Sequence, residues 1–496
     1  MPAATPPAPA RGVRGLLVDL EPLRRDREFR LLWTGQLVSG VGRMVTAVAL
    51  PYQLYVVTGT PLAVGLLALV QLVPILIFAL GGGAVADAVD RRKLLLATQV
   101  GLMACSLALV GLAITPAAPI VLFYVVAFAA AGLGAVDQPA RSSAIPRLVP
   151  PERLTGAIAL GQLSFQAVGV AGPAVGGVLI ATIGVTAAYA VDAATFLASI
   201  VALLFMAPIR PHPSAARPSF SSIAEGLRFA RSKGIILSTL VIDFVAMVFG
   251  MPAALFPALA LTVFHVGPAG VGMLTAAPAA GALVGASLTG WTGRVRRPGR
   301  AVVVAVAGWG LAITAFGLTS ESFALALVFL ALAGAADVIS AVLRSGITQV
   351  ETPDELRGRV MSIHILVVTS GPRLGDAEAA LVAAIAGPQF SVVSGGLLCL
   401  AGLAVVVRAF PELLAYRAPA HAAAPSLGAG PDATGAPTVP HAETSDEIVR
   451  LPFALDGGEA EIDPPASEPA SPIDPLASEP AVASGTLQGP GAGSGS

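Results

Sequence analysis

Three ionisable side chains fall within six consecutive positions of the stretch SGPRLGDAEA (370–379): Arg373, Asp376 and Glu378. They lie inside an apolar run from Met361 to about Ile385, long enough to cross a bilayer. A charge in hydrocarbon is expensive, so such groups are candidates for carrying a proton, holding a charged cargo or pairing with one another. Arg373 and Asp376 are i,i+3 neighbours able to pair on one helix face, and Glu378 projects nearly the opposite way. Measured along a helix, Arg373 stands about 20 Å from Arg359, past the middle of the span.

Other ionisable residues sit in apolar runs too: Arg43, Asp137 with Arg141, Asp192, Asp243, Asp337 with Arg344, and His364. Asp137 and Arg141 are i,i+4, and Asp337 and Arg344 are seven apart, so each pair shares a helix face. The two arginines suit an inner gate or a structural cap. Asp192 and Asp243 have no partner nearby in sequence. Each is read either as a proton carrier or as an acid satisfied by hydroxyls across a helix interface.

The elements that position these groups follow from composition. Of 496 residues, 55% are hydrophobic and only 12% charged, too apolar for a soluble chain of this length. About twelve runs of spanning length precede residue 410: 31–57, 62–86, 94–115, 119–142, 157–182, 186–208, 235–258, 268–292, 301–319, 322–347, 361–385 and 388–407. Lipid offers no hydrogen bonds, so these runs must be helices. The start, MPAATPPAPARGVRG, lacks the apolar core and cleavage site of a signal peptide, so the first span is expected to remain as an anchor. Cys105 and Cys399 are both mid-span and read as packing residues; no metal site, cofactor or nucleic-acid partner is expected.

Basic residues cluster in alternate loops. Arg24, Arg25, Arg27 and Arg30 precede the first span, and Arg91, Arg92 and Lys93 follow the second. The intervening loops near 58–61, 115–119, 183–185, 259–267, 320–321 and 386–388 hold no Lys or Arg. By the positive-inside rule both termini are cytoplasmic and the number of spans is even.

The chain also repeats itself. TPLAVG (60–65) returns as GPAGVG (267–272), ARSSAIPRLVPPERLTG (140–156) as LRSGITQVETPDELRG (343–358), and AGPAVGG (171–177) as SGPRLGD (370–376). The expected division is a cytoplasmic segment (1–30), a six-helix half (31–208), a basic cytoplasmic loop (209–234), a second six-helix half (235–417) and a tail (418–496). Two such halves meet at a midplane cavity in secondary transporters. The tail holds eleven acidic residues against Arg450 alone, and the rest of the chain has 28 basic residues against 19 acidic. Rich in Pro, Ala, Ser and Glu, the tail cannot bury enough apolar surface to order itself and is expected to be disordered.

The stretch GGAVADAVDRRK (82–93) resembles the conserved loop of the major facilitator superfamily, roughly G-G-x-x-x-D-R-x-x-R-R-K. The resemblance covers about residues 31–410. It implies an all-α integral membrane fold of twelve transmembrane helices in two six-helix pseudo-repeats, and a gating lock carried by Gly83, Asp87, Arg91 and Arg92. In that superfamily the acid faces the start of span eleven, where a helix N-terminus attracts negative charge. Ala88 replaces the usual basic residue after the acid, which removes one contact of the lock, and Gly293 stands for the acid in the second half. The run GQLSFQAVGVAGPAVGG (161–177), with Gly169, Gly172, Pro173, Gly176 and Gly177, resembles the span-five signature of the superfamily's antiporters. The alternative is close helix packing by small residues.

The stretches DQPARSSAIPRLVPPERLTGAIAL, LRGRVMS and SGPRLGD are similar to the branch that holds enterobactin-type siderophore exporters and drug-efflux proteins. The resemblance implies a monomeric, proton-driven exporter of a small amphipathic molecule in the cell membrane, not an enzyme. A siderophore of enterobactin type is the first expectation and a macrolide-like drug the second. No G-x-x-x-x-G-K-[ST] loop is present, so ATP is not expected to drive it. A transport-inactive sensor acting through its acidic tail is the competing class. Deleting residues 418–496 separates them: an exporter keeps its efflux in a whole-cell accumulation assay, and a tail-driven sensor loses its role.

Overall fold

The computed structural model describes residues 19–88, 90–209 and 220–418, with side chains described for all of these except 79–88, 220–224 and 293–294. Twelve long helices run through them: α1 (Arg27–Thr58), α2 (Pro61–Ala88), α3 (Arg91–Ile114), α4 (Ile120–Leu148), α5 (Pro151–Ile183), α6 (Val185–Leu204), α7 (Gly234–Phe249), α8 (Gly267–Ser287), α9 (Pro298–Leu318), α10 (Phe323–Glu351), α11 (Asp354–Ala386) and α12 (Pro388–Ala409). The chain is an all-α integral membrane protein. Ten of the spans, α7 being taken together with its extension to Val263, hold a stretch long and apolar enough to cross a membrane. The other two, α1 and α11, are the helices that carry Arg43 and the Arg373–Asp376–Glu378 group. Their reduced apolarity reflects the charged and polar residues they carry.

Packing follows a pseudo-twofold pattern. Helix α1 packs on α5 and α6 as α7 packs on α11 and α12, and α2 packs on α4 as α8 packs on α10. Between the halves, α5 crosses α8 and α11 crosses α2. The glycines of the sequence repeat make matching contacts. A Cβ on Gly371 would lie 2.7 Å from Met247 Cβ, and one on Gly172 would strike Met44. A Cβ on Gly176 would meet the backbone of Val45 at 3.0 Å, and one on Gly375 that of Met247 at 2.6 Å. The Gly-Pro segments thus do one packing job twice, letting α5 and α11 lie close against α1 and α7.

The crossings between halves lie toward the end whose loops hold no basic residue. There a Cβ on Gly177 would stand 2.9 Å from Gly272 Cα, and one on Gly65 would stand 3.2 Å from the Asp376 carbonyl oxygen. Gly272 and Gly65 are the repeat-matched ends of GPAGVG and TPLAVG.

Several boundaries differ from the sequence reading. Arg91, Arg92 and Lys93 are the first turn of α3 rather than a loop, because the Asp90 carboxylate accepts from the Arg92 and Lys93 N–H groups as an N-cap. The basic loop contains a helix, Phe220–Ser232. The seventh span is not one continuous helix: α7 stops at Gly250, and the chain resumes as a short irregular helical extension over 253–263. Pro252 has no N–H to continue the ladder, and Gly250 has no side chain to resist the bend. Of the tail expected to be disordered, all but Ala418 lies outside the described residues.

The α5–α6 and α11–α12 turns are built on Gly184 (φ 88°) and Gly387 (φ 92°), another repeat-matched pair. Both have extended ψ, a region essentially reserved for glycine. Gly387→Ala is expected to lower stability by about 1–3 kcal/mol through backbone strain, since open space surrounds the position. Gly111→Ala, in helical backbone with equally open space, is expected to leave stability unchanged or slightly raised. Thermal unfolding of purified protein in detergent reads both.

Candidate functional site

A cavity of about 510 Å³ lies between the halves, lined from α1, α2, α3, α4 and α6 on one side and from the 253–257 extension, α8 and α11 on the other. Its walls are mostly Ala, Leu, Val and Ile, with four charged side chains: Arg43 and Asp192 from the first half, Arg373 and Asp376 from the second. The volume and the mix of apolar wall with few polar anchors are those of a small-molecule site.

Asp376 owes its position to the break after α7. Trp309 Nε1 donates to the Gly250 carbonyl at 3.0 Å on one side of the break. On the other, the Ala254 N–H would be left without a helical partner, and it donates to Asp376 Oδ1 at 2.7 Å. The carboxylate therefore caps a helical restart, where amide dipoles favour negative charge. Arg373 Nη1 donates to Gln71 Oε1 of α2, a link between the halves. The pairing allowed by the i,i+3 spacing does not form: Arg373 turns to Gln71 and Asp376 to Ala254. Glu378 is half-buried and does not line the cavity.

In the first half Asp192 Oδ2 accepts from Thr46 Oγ1 (2.6 Å) and Ser106 Oγ (2.8 Å). Hydroxyls across helix interfaces thus satisfy this oxygen, while Oδ1 is buried without a hydrogen bond. Asp137, fully buried, receives Arg141 Nε at 2.5 Å, Thr98 Oγ1 at 2.8 Å and Gln99 Nε2 at 2.9 Å, with Arg43 Nη1 at 3.8 Å. The i,i+4 pair therefore forms, and Arg43 joins it to the cavity wall.

In the second half Arg344 Nη2 lies 2.7 Å from Asp243 Oδ1 and 3.9 Å from Asp337 Oδ1. Asp243, alone in sequence, is the nearer partner because α7 and α10 converge there. His364 Nδ1 is 4.0 Å from Asp243 Oδ2.

Of the loop motif, the Gly83 and Asp87 side chains lie outside the described residues. Arg91 Nε donates to Ser143 Oγ of α4 at 2.9 Å. Arg92 donates to the Leu203 and Leu204 carbonyls at 2.8 and 2.7 Å, answering the negative end of α6. In the antiporter-like run, Gly172 and Gly176 face α1, Gly177 faces α8, and Pro173 presents its carbonyl to Gly272. Gly169 is in ordinary contact with Ala279 of α8. Sequence reasoning missed Gln71, Thr46, Ser106 and the Ala254 amide freed by the break. Only the last had a local signal, the helix-breaking Gly250-Met251-Pro252.

The transmembrane secretion effector family model matches residues 18–428, and the chain belongs to that family. It is a multi-pass membrane transporter of the major facilitator fold, not an enzyme. The enterobactin exporter EntS of Citrobacter koseri is 29% identical over 407 residues, covering 81% of this chain and 96% of its own. EntS of Shigella boydii is 27% identical over 383 residues, covering 77% and 91%. A bacterial homologue of the human lysosomal transporter Spinster, solved in an inward-facing and unoccupied conformation, shares the fold with TM-score 0.62 at 17% identity, covering 79% of this chain and 99% of its own. A D-xylose–proton symporter does so with TM-score 0.62 at 14% identity, covering 79% and 99%.

The cap role of Asp376 makes a stability prediction. Asp376→Asn keeps an acceptor for the Ala254 N–H but gives up its charge, and should unfold between wild type and Asp376→Ala. Asp376→Ala orphans that amide and should lose about 1 kcal/mol or more. Thermal unfolding in detergent compares the two.

Proposed function

We propose that this transporter is a proton-coupled exporter of a small amphipathic molecule of the enterobactin siderophore kind, working in the cell membrane with both termini in the cytoplasm. The carrying observation is a cavity between the halves to which each contributes one guanidinium and one carboxylate, Arg43 with Asp192 and Arg373 with Asp376. Matches to EntS proteins over nearly their whole length support the cargo class. A siderophore of phenolic rings and amides suits such a cavity: apolar walls take the rings, and fixed charges hold the polar rim.

Transport in this reading is an exchange of two closures. The glycine-lined crossings α5–α8 and α11–α2 close the basic-free end, which is the outer side by the positive-inside rule. Parting them would open the cavity outward. The lock assigned to Gly83, Asp87, Arg91 and Arg92 would close the inner side in the outward-open state. Asp376 is the proton carrier at the cavity: it sits on the wall, on α11, and caps the break after α7. Protonation would weaken that cap and loosen α11 from the 253–263 extension. The family's drug-efflux members make a macrolide-like drug the second cargo, and the largely aliphatic wall favours that reading over a sugar or peptide.

Everted membrane vesicles with an acidified lumen test this. Wild type should accumulate radiolabelled enterobactin, and dissipating the gradient should abolish it; no accumulation of enterobactin or of a drug panel contradicts export. Asp376→Asn should insert normally yet lose gradient-driven accumulation, whereas unchanged pumping across a pH series contradicts its role.

A further inference from the structure

The second half holds a charged group that does not line the central cavity. Asp243 of α7 is fully buried, and neither of its oxygens receives a well-directed hydrogen bond, although Arg344 Nη2 is 2.7 Å away. Arg344, 2% exposed, donates through Nη1 to Ser340 Oγ at 3.0 Å and leaves Nε unpartnered. Asp337 completes the α10 face 3.9 Å from Arg344, and His364 approaches Asp243 from α11 at 4.0 Å. Among the described residues, other charges on the packed helices are exposed or answered elsewhere. The Phe220–Ser232 helix, which packs on α11 and α7, bears exposed Arg228 and Arg231 and a Glu225 that pairs with Arg359. Glu351 of α10 accepts from Tyr416. Helix α8 has no ionisable side chain, Arg300 of α9 and Arg408 of α12 lie at helix ends, and Cys399 is the remaining ionisable group of α12.

Charge bookkeeping then points one way. Two carboxylates, one guanidinium and one neutral imidazole sum to minus one, and an arginine does not give up its proton. An unbalanced charge in a water-poor interior is costly, and one added proton removes it. The first half shows no such deficit, because two guanidiniums, Arg141 and Arg43, face Asp137. Access is uneven within the group: the Asp337 side chain is 32% exposed and that of His364 20%, while Asp243 and Arg344 are sealed.

We infer that Asp243, Asp337, Arg344 and His364 form a second proton-binding site, separate from the cargo cavity, which takes up and releases one proton in each transport cycle. This rests on the proton-coupled reading above. The proton enters from water through Asp337 or His364 and settles on a carboxylate oxygen of Asp243 or Asp337; no electrons move. Its arrival weakens the attraction that holds α7, α10 and α11 together around Arg344. Helix α11 carries the change onward, because Asp376 lies about 18 Å further along it from His364.

Infrared difference spectra of the purified full-length protein over a pH series read the site without cargo. Wild type should gain a protonated-carboxyl stretch on acidification. One component of it should vanish in Asp243→Asn and in Asp337→Asn, since either change alone leaves a neutral group, and should shift in His364→Gln. Asp376→Asn should leave that component in place. No titrating band in wild type, or a band that is intact in all three quartet variants, overturns the site. In everted vesicles with radiolabelled enterobactin, Asp337→Asn and His364→Gln should lose gradient-driven accumulation but keep gradient-independent exchange. If wild type shows no gradient-driven accumulation, the exporter reading fails while the infrared result still decides the proton site.

Discussion

A charge carried into hydrocarbon must be answered from within the bundle, because lipid answers nothing. That constraint explains most of what distinguishes this chain. Asp137 is met by Arg141, Arg43, Thr98 and Gln99, and Asp243 by Arg344. Asp376 is met by a backbone amide released where α7 breaks. The break would expose a donor in a spanning segment, and the carboxylate would be a bare charge without it. Each makes the other tolerable.

The two halves solve one packing problem and then diverge in charge. Gly172 and Gly371 let α5 and α11 press on matched methionines of α1 and α7, and Gly184 and Gly387 make matched turns. The sequence repeat sets Asp376 against Gly177. Counted back from the matched turn glycines, however, Asp376 is level with Pro173, and Ala380 takes the place of Gly177 at the crossing with Gly65. Gly177 closes directly on Gly272. Asp376 keeps a close approach to Gly65 through its backbone while turning its side chain to the cavity and Ala254. Symmetric backbone contacts allow the halves to move as similar bodies, and asymmetric charge gives each a different chemical role.

The twelve spans, the repeat and the close helix approach at the Gly-Pro segments were legible in the sequence, because hydropathy and small-residue spacing are local signals. The Asp137–Arg141 pair was legible for the same reason, being one helical turn apart. Partners across the fold were not. Arg373 and Gln71 are 302 residues apart, and Asp192 and Thr46 are 146 apart, so nothing in either neighbourhood announces the contact. The i,i+3 spacing of Arg373 and Asp376 suggested a pair that does not form, because each side chain has a better-placed partner on another element. The Asp87 part of the loop motif lies where side chains are not described, so its gating role rests on the resemblance alone.

The account depends on the glycine-lined crossings of α5 on α8 and α11 on α2 parting to release cargo. Spin labels at exposed Leu62 of α2 and Ile385 of α11 span the second of these. Pulsed electron–electron resonance on the full chain in liposomes, with and without enterobactin and at two pH values, measures their separation directly. The account predicts a short distance that gives way to a second, longer population when cargo and protons are varied. A single unchanged distance under every condition would contradict it.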